Sequence, residues 1–174
     1  MFYILSAVRY EENVNIDSEN LNFLKKGCRF SEFQYLDKKP IDIEISDYGG
    51  IEFQDFLLVD DIPIISNKFK NILKKNNIDN LFFKQINLTI KSIGIKEVYW
   101  LTLPPRINCL VFDKSEIDDC NYAEKIVINE ECIGNYEIFK ISNVINQEII
   151  ITQKLKEIIE KNDLIGVNIY KILD

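Results

Sequence analysis

One stretch of 24 residues occurs twice in the sequence, and this repeat limits the possible fold more than any other feature. The first copy starts at Pro63 and runs PIISNKFKNILKKNNIDNLFFKQI; the second starts at Ile149 and runs IIITQKLKEIIEKNDLIGVNIYKI. The copies align without a gap at an offset of 86 residues. Eight aligned pairs are identical: Ile64 and Ile150, Ile65 and Ile151, Lys68 and Lys154, Lys70 and Lys156, Ile72 and Ile158, Lys75 and Lys161, Asn76 and Asn162, and Ile86 and Ile172. Such self-similarity predicts a structural unit that the chain uses twice.

Each copy predicts a short strand, then a helix, then a second strand. In the first copy Ser66 is a favourable N-cap, and Phe69, Ile72 and Leu73 have the i, i+3, i+4 spacing of a buried helix face. The lysines at positions 68, 70, 74 and 75 are expected on the other, wet face of this helix. In the second copy Thr152 takes the place of the cap. Its apolar face consists of Leu155, Ile158 and Ile159. Because further short strands surround both copies, the sequence predicts an α+β fold with a mostly antiparallel sheet and two short helices.

We expect a single domain over residues 1–174, since a chain of this length can bury one core and its few prolines and glycines leave little room for a linker. Residues 1–54 form an N-terminal part that matches the family resemblance described below only loosely. The remainder, residues 55–174, contains the two repeat units at 63–86 and 149–172.

Two further sheet segments stand out between and before the repeats. Isoleucines at every second position from 41 to 45 alternate with polar residues, which is the period of a strand with one wet face. Residues 96–103 and 107–112 are both apolar and are joined by Pro104 and Pro105. We interpret them as a hairpin or an adjacent strand pair, because the two prolines cannot continue a hydrogen-bonded ladder.

The composition excludes several classes of function. The formal net charge is −7, which argues against a general nucleic-acid binder because phosphate contacts need clustered cations. The chain has no histidine, so Ser/His and Cys/His catalytic pairs are ruled out. It also lacks both glycine-rich phosphate-binding motifs, G-x-x-x-x-G-K-[ST] and G-x-G-x-x-G. We therefore expect no enzymatic activity and no cofactor. The four cysteines include no C-x-x-C pair, and we expect them to be reduced thiols. No apolar run is long enough to span a membrane. We therefore expect a cytoplasmic protein that binds no membrane.

Acidic residues are concentrated in two segments, 40–61 and 113–137. The first contains no lysine or arginine, and the second contains only Lys114 and Lys125 as cations. The simpler interpretation is a set of solvated strand edges and loops; the sharper one is a surface that steers a basic partner. A divalent-metal site at Asp113, Asp118 and Asp119 is a weaker alternative, since their spacing departs from the calcium-loop pattern. The candidate partner-binding residues are Asp42, Glu44, Asp60, Asp61, Asp113, Glu116, Asp118 and Asp119, with Trp100 as an aromatic anchor.

Several segments resemble a family of immunity proteins that bacteria encode beside polymorphic toxins. The segments are DFLLVDDIPIISNKFKNILKK, LFFKQI, YWLTLPPRINCLVFDKSEI and IFKISNVINQEIIITQKLKEIIEKNDLIGVNIYKI, and they cover about residues 55–172. The resemblance implies a protein that neutralises a cognate toxin by direct binding and has no catalytic residues. Pro104 and Pro105 depart from the polar turn that is more usual in the family.

Two other functions remain open on the residues alone. One is a small enzyme or ligand-binding domain with a carboxylate-lined pocket, and the other is a structural domain that associates with itself through the repeat. A deep pocket with converging carboxylates would favour the first, whereas an acidic face with exposed aromatic side chains would favour a protein-binding function.

Overall fold

A computed structural model gives the fold and describes residues 1–8, 13–17, 19, 21, 39–45 and 50–172. This part of the chain is α+β, with twelve strands and two α-helices. The strands are β1 (Phe2–Ala7), β2 (Ile41–Glu44), β3 (Phe56–Val59), β4 (Ile62–Ser66), β5 (Phe82–Ile90), β6 (Ile95–Leu103), β7 (Arg106–Ile107), β8 (Glu116–Ile117), β9 (Ala123–Lys125), β10 (Ile138–Ile141), β11 (Ile149–Thr152) and β12 (Val167–Lys171). The helices are α1 (Asn67–Lys75) and α2 (Gln153–Lys161), and short 3-10 turns lie at Lys91–Ile93 and Glu130–Cys132.

The strands form two five-stranded sheets and a small hairpin. The first sheet has the order β12-β1-β11-β10-β7, the second has the order β2-β5-β6-β4-β3, and β8 pairs with β9. Antiparallel pairs predominate, but β2 runs parallel to β5 and β7 runs parallel to β10. The expectation of a mostly antiparallel sheet is corrected to this extent: each large sheet is mixed, with one parallel pair at an edge. Both parallel pairs are joined by long connections, as parallel pairing requires.

The predicted hairpin of residues 96–103 and 107–112 is wrong. Strand β6 belongs to the second sheet, whereas β7 leaves it and pairs with β10 in the first. Pro104 and Pro105 stand where the chain crosses between the sheets, and the carbonyl of Pro105 accepts a hydrogen bond from the N–H of Lys140. Two consecutive residues without N–H donors prevent a tight β-turn ladder, so the chain continues outward instead of folding back.

Both helix caps are confirmed. Ser66 Oγ accepts a hydrogen bond from the N–H of Phe69 at 3.1 Å, and Thr152 Oγ1 accepts one from the N–H of Leu155 at 3.4 Å. Each helix ends at an asparagine, Asn76 or Asn162, whose side-chain amide donates to a carbonyl in the last turn. The predicted apolar face is also present, because the positions chosen from the spacing are buried or half-buried. In the described part of the chain neither helix is long and apolar enough to cross a membrane.

Each copy of the repeat contains a strand, a nine-residue helix and a second strand, and a third strand lies between the two strands of each copy. In the second sheet that strand is β6, where Trp100 is opposite Ile65 on one side and Gln85 on the other. In the first sheet it is β1, where Tyr3 is opposite Ile151 and Lys171. Ile65 aligns with Ile151 and Gln85 aligns with Lys171, so β1 and β6 occupy matching places at matching registers.

Both helices and one face of each large sheet share an apolar core. Phe69, Leu73, Leu155 and Ile159 from the helices are at most 3% exposed in it. A second cluster covers the other face of the second sheet, and a third lies beneath the chain from Cys109 to Ile133 on the other face of the first sheet.

Lys70 of α1 is not on the wet face of the helix, where its spacing predicts it. The residue is 7% exposed, and its ammonium group lies over the rings of Trp100 and Phe83. Burial, together with the nearby charge of Lys74, lowers the pKa of Lys70 to about 8. The position is next to the apolar stripe on the helix, so a large ring on β6 is enough to cover it.

A candidate partner-binding site

Asp60 and Asp61 form a two-residue turn at the surface of the protein. The turn joins β3 to β4, and both residues are exposed with positive φ angles of 46° and 66°. Aspartate tolerates this left-handed conformation better than most residues, which explains an Asp-Asp pair here. The carbonyl of Asp61 accepts a hydrogen bond from Lys140 Nζ at 3.1 Å, which ties the turn to β10 in the other sheet.

The second acidic segment contains the β8–β9 hairpin. Asp118 and Asp119 lie in its turn, where Asp118 Oδ1 accepts hydrogen bonds from the N–H groups of Cys120 and Tyr122. The hairpin is held on the first sheet by Asn146, whose side-chain amide forms two hydrogen bonds with the main chain of Ala123. Asn146 is only 4% exposed, so this attachment is buried and fixes where the acidic turn lies.

A pocket of about 400 Å³ brings the two acidic segments together. The turn contributes Asp61, the hairpin contributes Tyr122, and the segment leading into β11 contributes Ile145 and Glu148. The remaining lining residues are Ile4, Leu5, Ser6, Leu58, Asn146, Gln147 and Ile149. Tyr122 and Ile145 are 40% and 48% exposed, so the pocket has an apolar rim and carboxylates at two sides.

Glu148 has one carboxylate oxygen in use and one available. Its Oε1 accepts a hydrogen bond from the hydroxyl of Tyr122 at 3.1 Å, and the negative charge of Glu148 beside this hydroxyl raises the pKa of Tyr122. Its Oε2 is buried and has no hydrogen-bond partner among the residues that the structure describes. An unpaired buried carboxylate oxygen is unfavourable by about 1–3 kcal/mol, and a donor that reaches it after the side chain turns recovers at most that amount.

This arrangement suits the side chain of a lysine or an arginine from another protein. The aliphatic stem of such a side chain can lie against Ile145 and the ring of Tyr122, and its cationic end can reach Glu148 and Asp61.

Among the described residues no three histidine, cysteine, aspartate or glutamate side chains are grouped as a metal site requires.

The structure separates the other sequence-predicted residues from this pocket. Asp42 and Glu44 lie on β2, where Asp42 accepts a hydrogen bond from Asn87 and Glu44 pairs with Lys91. Since β2 and β3 are at opposite edges of the second sheet, four strand spacings put β2 about 19 Å from β3, one of the two strands that the Asp60–Asp61 turn joins. Asp113 and Glu116 are exposed at the start of the hairpin, outside the pocket lining. Asp60, Asp118 and Asp119 are exposed too and do not line the pocket, so Asp61 is the sequence-predicted acid that does.

Trp100 is half-buried and has partners within the chain. Its ring packs against the shared core beneath Lys70, and its indole N–H donates to Asn67 Oδ1 at 3.1 Å. Its strand neighbour Tyr99 is 3% exposed on the opposite face, as the alternation of a strand predicts.

Sequence reasoning missed Tyr122, Ile145 and Glu148. Tyr122 could have been found from its place beside Asp118 and Asp119, because an exposed aromatic residue among acids is a frequent interface feature. For Glu148 no local signal exists: its unpaired oxygen results from contact with a hairpin that is distant in sequence.

In a comparison with known protein families, residues 7–174 match the family described as Immunity protein family (Imm11). The match extends well upstream of residue 55, where the segments that resemble the family begin. No curated protein matches the chain.

Proposed function

The chain belongs to the Imm11 immunity protein family, and from this premise we propose that it binds a cognate toxin directly and neutralises it without catalysis. The partner is a toxin with a basic surface, encoded beside this protein. The acidic face, which we define as Asp60, Asp61, Asp118, Asp119 and Glu148, is the surface that contacts it.

The observation that carries this proposal is the unpaired Oε2 of Glu148 in a pocket with an exposed aromatic rim. Interfaces are commonly anchored by one or a few residues in such pockets, with a polar rim around them. In the free protein the oxygen lacks a described donor, and Glu148 gains a charge-assisted hydrogen bond when its side chain turns this oxygen toward a toxin lysine or arginine in the pocket.

The exposed aspartates around the pocket have a second role. Asp60, Asp61, Asp118 and Asp119 are solvent-exposed, so each contributes little to affinity once screened by salt. Together they attract a basic partner at a distance and increase the association rate. In this mechanism the pocket determines how long the complex lasts, and the aspartates determine how fast it forms.

The proposal is tested by calorimetry with the inactivated toxin from the neighbouring gene. Glu148→Gln keeps the shape of the side chain but removes its charge, and we expect the dissociation constant to increase at least about tenfold. Glu160→Gln, on the exposed side of α2, is the matched control and should bind like the wild type. If the wild type neither copurifies with the toxin nor protects cells from it, the proposed function is wrong.

Charge reversal tests the steering role separately. We expect the double substitution Asp118→Lys and Asp119→Lys to slow association about tenfold at low salt, with a smaller effect at high salt. Glu97→Lys, exposed on β6, serves as the control. Unchanged association kinetics in the double variant would show that these aspartates are only solvated loop residues.

We also propose that the protein acts in the cytoplasm of the producing cell. Support comes from the described cysteines, since Cys109, Cys120 and Cys132 are all free thiols, the state that a reducing compartment maintains.

Finally, we infer that the two copies of the repeat form equivalent halves of one domain over residues 1–174. The matching registers of β1 and β6 support this interpretation. So do the capping contacts: Ser66 donates to Asp55 and Lys68 pairs with the same carboxylate, while Thr152 donates to Glu137 and Lys154 pairs with that one. The main chain repeats the pattern, because the N–H of Ser66 donates to the carbonyl of Asp55 and that of Thr152 to the carbonyl of Glu137.

A further inference from the structure

The loop after each helix meets the first residues of a strand in the other large sheet, and the two junctions differ. The loop after α2 (residues 162–166) meets Asp55, just before β3. The loop after α1 (residues 76–81) meets Glu137, just before β10. Because Asp55 and Glu137 have corresponding contacts at the two helix caps, the junctions can be compared atom by atom.

The junction at Asp55 is closed by main-chain hydrogen bonds. The N–H of Asp55 donates to the carbonyl of Ile165 at 2.8 Å, and the N–H of Ile165 donates to Asp55 Oδ2 at 2.9 Å. Gly166 lies so close to Gln54 that a Cβ atom at Gly166 would be 2.6 Å from Gln54 Cβ. Asp55 therefore binds both the main-chain N–H and the carbonyl of Ile165, which lies in a turn.

The junction at Glu137 is open. Asp79 aligns with Ile165, but among the described residues no hydrogen bond joins Glu137 to Asp79; one side-chain bond from Asn80 Nδ2 to the carbonyl of Ile138 crosses the junction instead. A pocket of about 490 Å³ lies between the loop after α1 and the segment before β10. Its lining consists of residues 76–80 and 135–137 together with Lys154.

The Glu137 junction keeps groups free that the Asp55 junction uses. Among the described residues no acceptor pairs with the main-chain N–H of Glu137, and Lys154 is the described partner of its Oε1. Asp79, at the place of Ile165, is exposed and adds a negative charge to the pocket lining.

We propose that this pocket binds a turn of the toxin's main chain, which takes the place that Ile165 and Gly166 take in the closed junction. The main-chain carbonyl of one toxin residue accepts from the Glu137 N–H, the N–H of the same residue donates to Glu137 Oε1, and a basic side chain beside it pairs with Asp79. This inference rests on the proposed function and adds a second contact, made to the toxin's main chain.

Two variants and one control test the proposal by calorimetry with the inactivated toxin. Asp79→Ile restores the residue type of the closed junction, and Asn135→Trp fills the pocket from an exposed position. We expect each to increase the dissociation constant at least about tenfold while leaving the protein folded. Asn108→Trp places the same large side chain at another exposed position and should bind like the wild type.

Hydrogen exchange supplies an independent measurement. On adding the inactivated toxin to the wild type, we expect the amide of Glu137 to become protected, because it gains a main-chain acceptor. Wild-type affinity in both pocket variants, an equal loss in the control, or an unchanged exchange rate at Glu137 would each overturn the proposal. A wild-type protein that does not bind the toxin would instead overturn the proposed function, so the two failures are distinguishable.

Discussion

The main-chain N–H of Ile165 donates a hydrogen bond to Asp55 Oδ2, 110 residues earlier in the chain, at 2.9 Å. The same carboxylate accepts from the hydroxyl of Ser66 and pairs with Lys68 at 3.4 Å. Asp55 is 8% exposed, so one buried side chain connects the start of β3, the cap of α1 and the loop before β12.

We predict that Asp55→Ala lowers the free energy of unfolding by about 2–4 kcal/mol, because several donors lose their acceptor at once. Urea unfolding followed by circular dichroism measures this. Asp79→Ala is the control: Asp79 is exposed and has no described partner, so its removal should change the value by less than about 0.5 kcal/mol. Equal effects of both substitutions would contradict the role assigned to Asp55.

Gly166→Ala tests how tightly Gly166 packs against Gln54 at the same junction. Gly166 has a φ of +79°, and an added Cβ would meet the side chain of Gln54 at 2.4–2.6 Å. We expect a loss of about 2–4 kcal/mol, since backbone strain and steric overlap add together. Gly94 has a similar φ of +67° with nothing within 4 Å of the added atom, so Gly94→Ala reports the backbone strain alone, about 1 kcal/mol. In thermal melts the Tm should therefore be lowest for Gly166→Ala, intermediate for Gly94→Ala and highest for the wild type.

Lys70 makes stability depend on pH in the alkaline range. Its pKa is lowered to about 8 in the folded protein by burial and by Lys74, against 10.5 for an ordinary lysine. Between these values the unfolded chain binds more protons than the folded one, so stability increases with pH. We expect the difference in unfolding free energy between wild type and Lys70→Met to change by about 1 kcal/mol from pH 7 to pH 9, in favour of the wild type.

Lys156, aligned with Lys70, is the control for this experiment. Its pKa is raised by the hydrogen bond to Glu160, so it remains protonated in both the folded and the unfolded state from pH 7 to pH 9. The difference between wild type and Lys156→Met should therefore be constant over that range. The same pH trend in both variants would show that burial of Lys70 is not its cause.

The cysteines predict a pattern of thiol reactivity. Cys109 is 1% exposed, and burial, with the nearby Cys132, raises its pKa to about 11. Because the thiolate is the reactive form, Cys109 should resist a disulfide reagent in the native protein. Cys120 and Cys132 are exposed and should react. In a Cys28→Ser background we expect two thiols to react before denaturation and three after it; rapid reaction of all three would contradict the burial of Cys109.

Local patterns in the sequence were sufficient for the helices. The caps at Ser66 and Thr152 and the apolar stripes behind them depend on residues within one or two turns, so spacing alone identifies them. The strand at 41–45 was found for the same reason, through its alternation.

Features that depend on distant contacts were not predictable in this way. The partner of β7 is β10, more than 30 residues later, so two adjacent apolar runs gave the wrong pairing. Lys70 has the sequence position of a solvated lysine, but the rings of Trp100 on β6 and Phe83 on β5 cover it. The acidic residues were recognisable as a class, but the pocket that Asp61 lines depends on Tyr122, whose place is set by how the β8–β9 hairpin docks on Asn146.

The position of β1 in the first sheet sets an order for folding during synthesis. The strands β3 to β6 and helix α1 are contiguous, so the second sheet can pair most of its strands once Leu103 has left the ribosome. Strand β1 is made first but must wait for β11 and β12; the hydrogen bond from Tyr3 to Gln153 spans 150 residues. Closing so long a loop is slow and comes last. Since Glu148 leads into β11, the proposed toxin-binding pocket cannot form until residue 148 has been made, and we expect chains that stop before it to give the cell no protection.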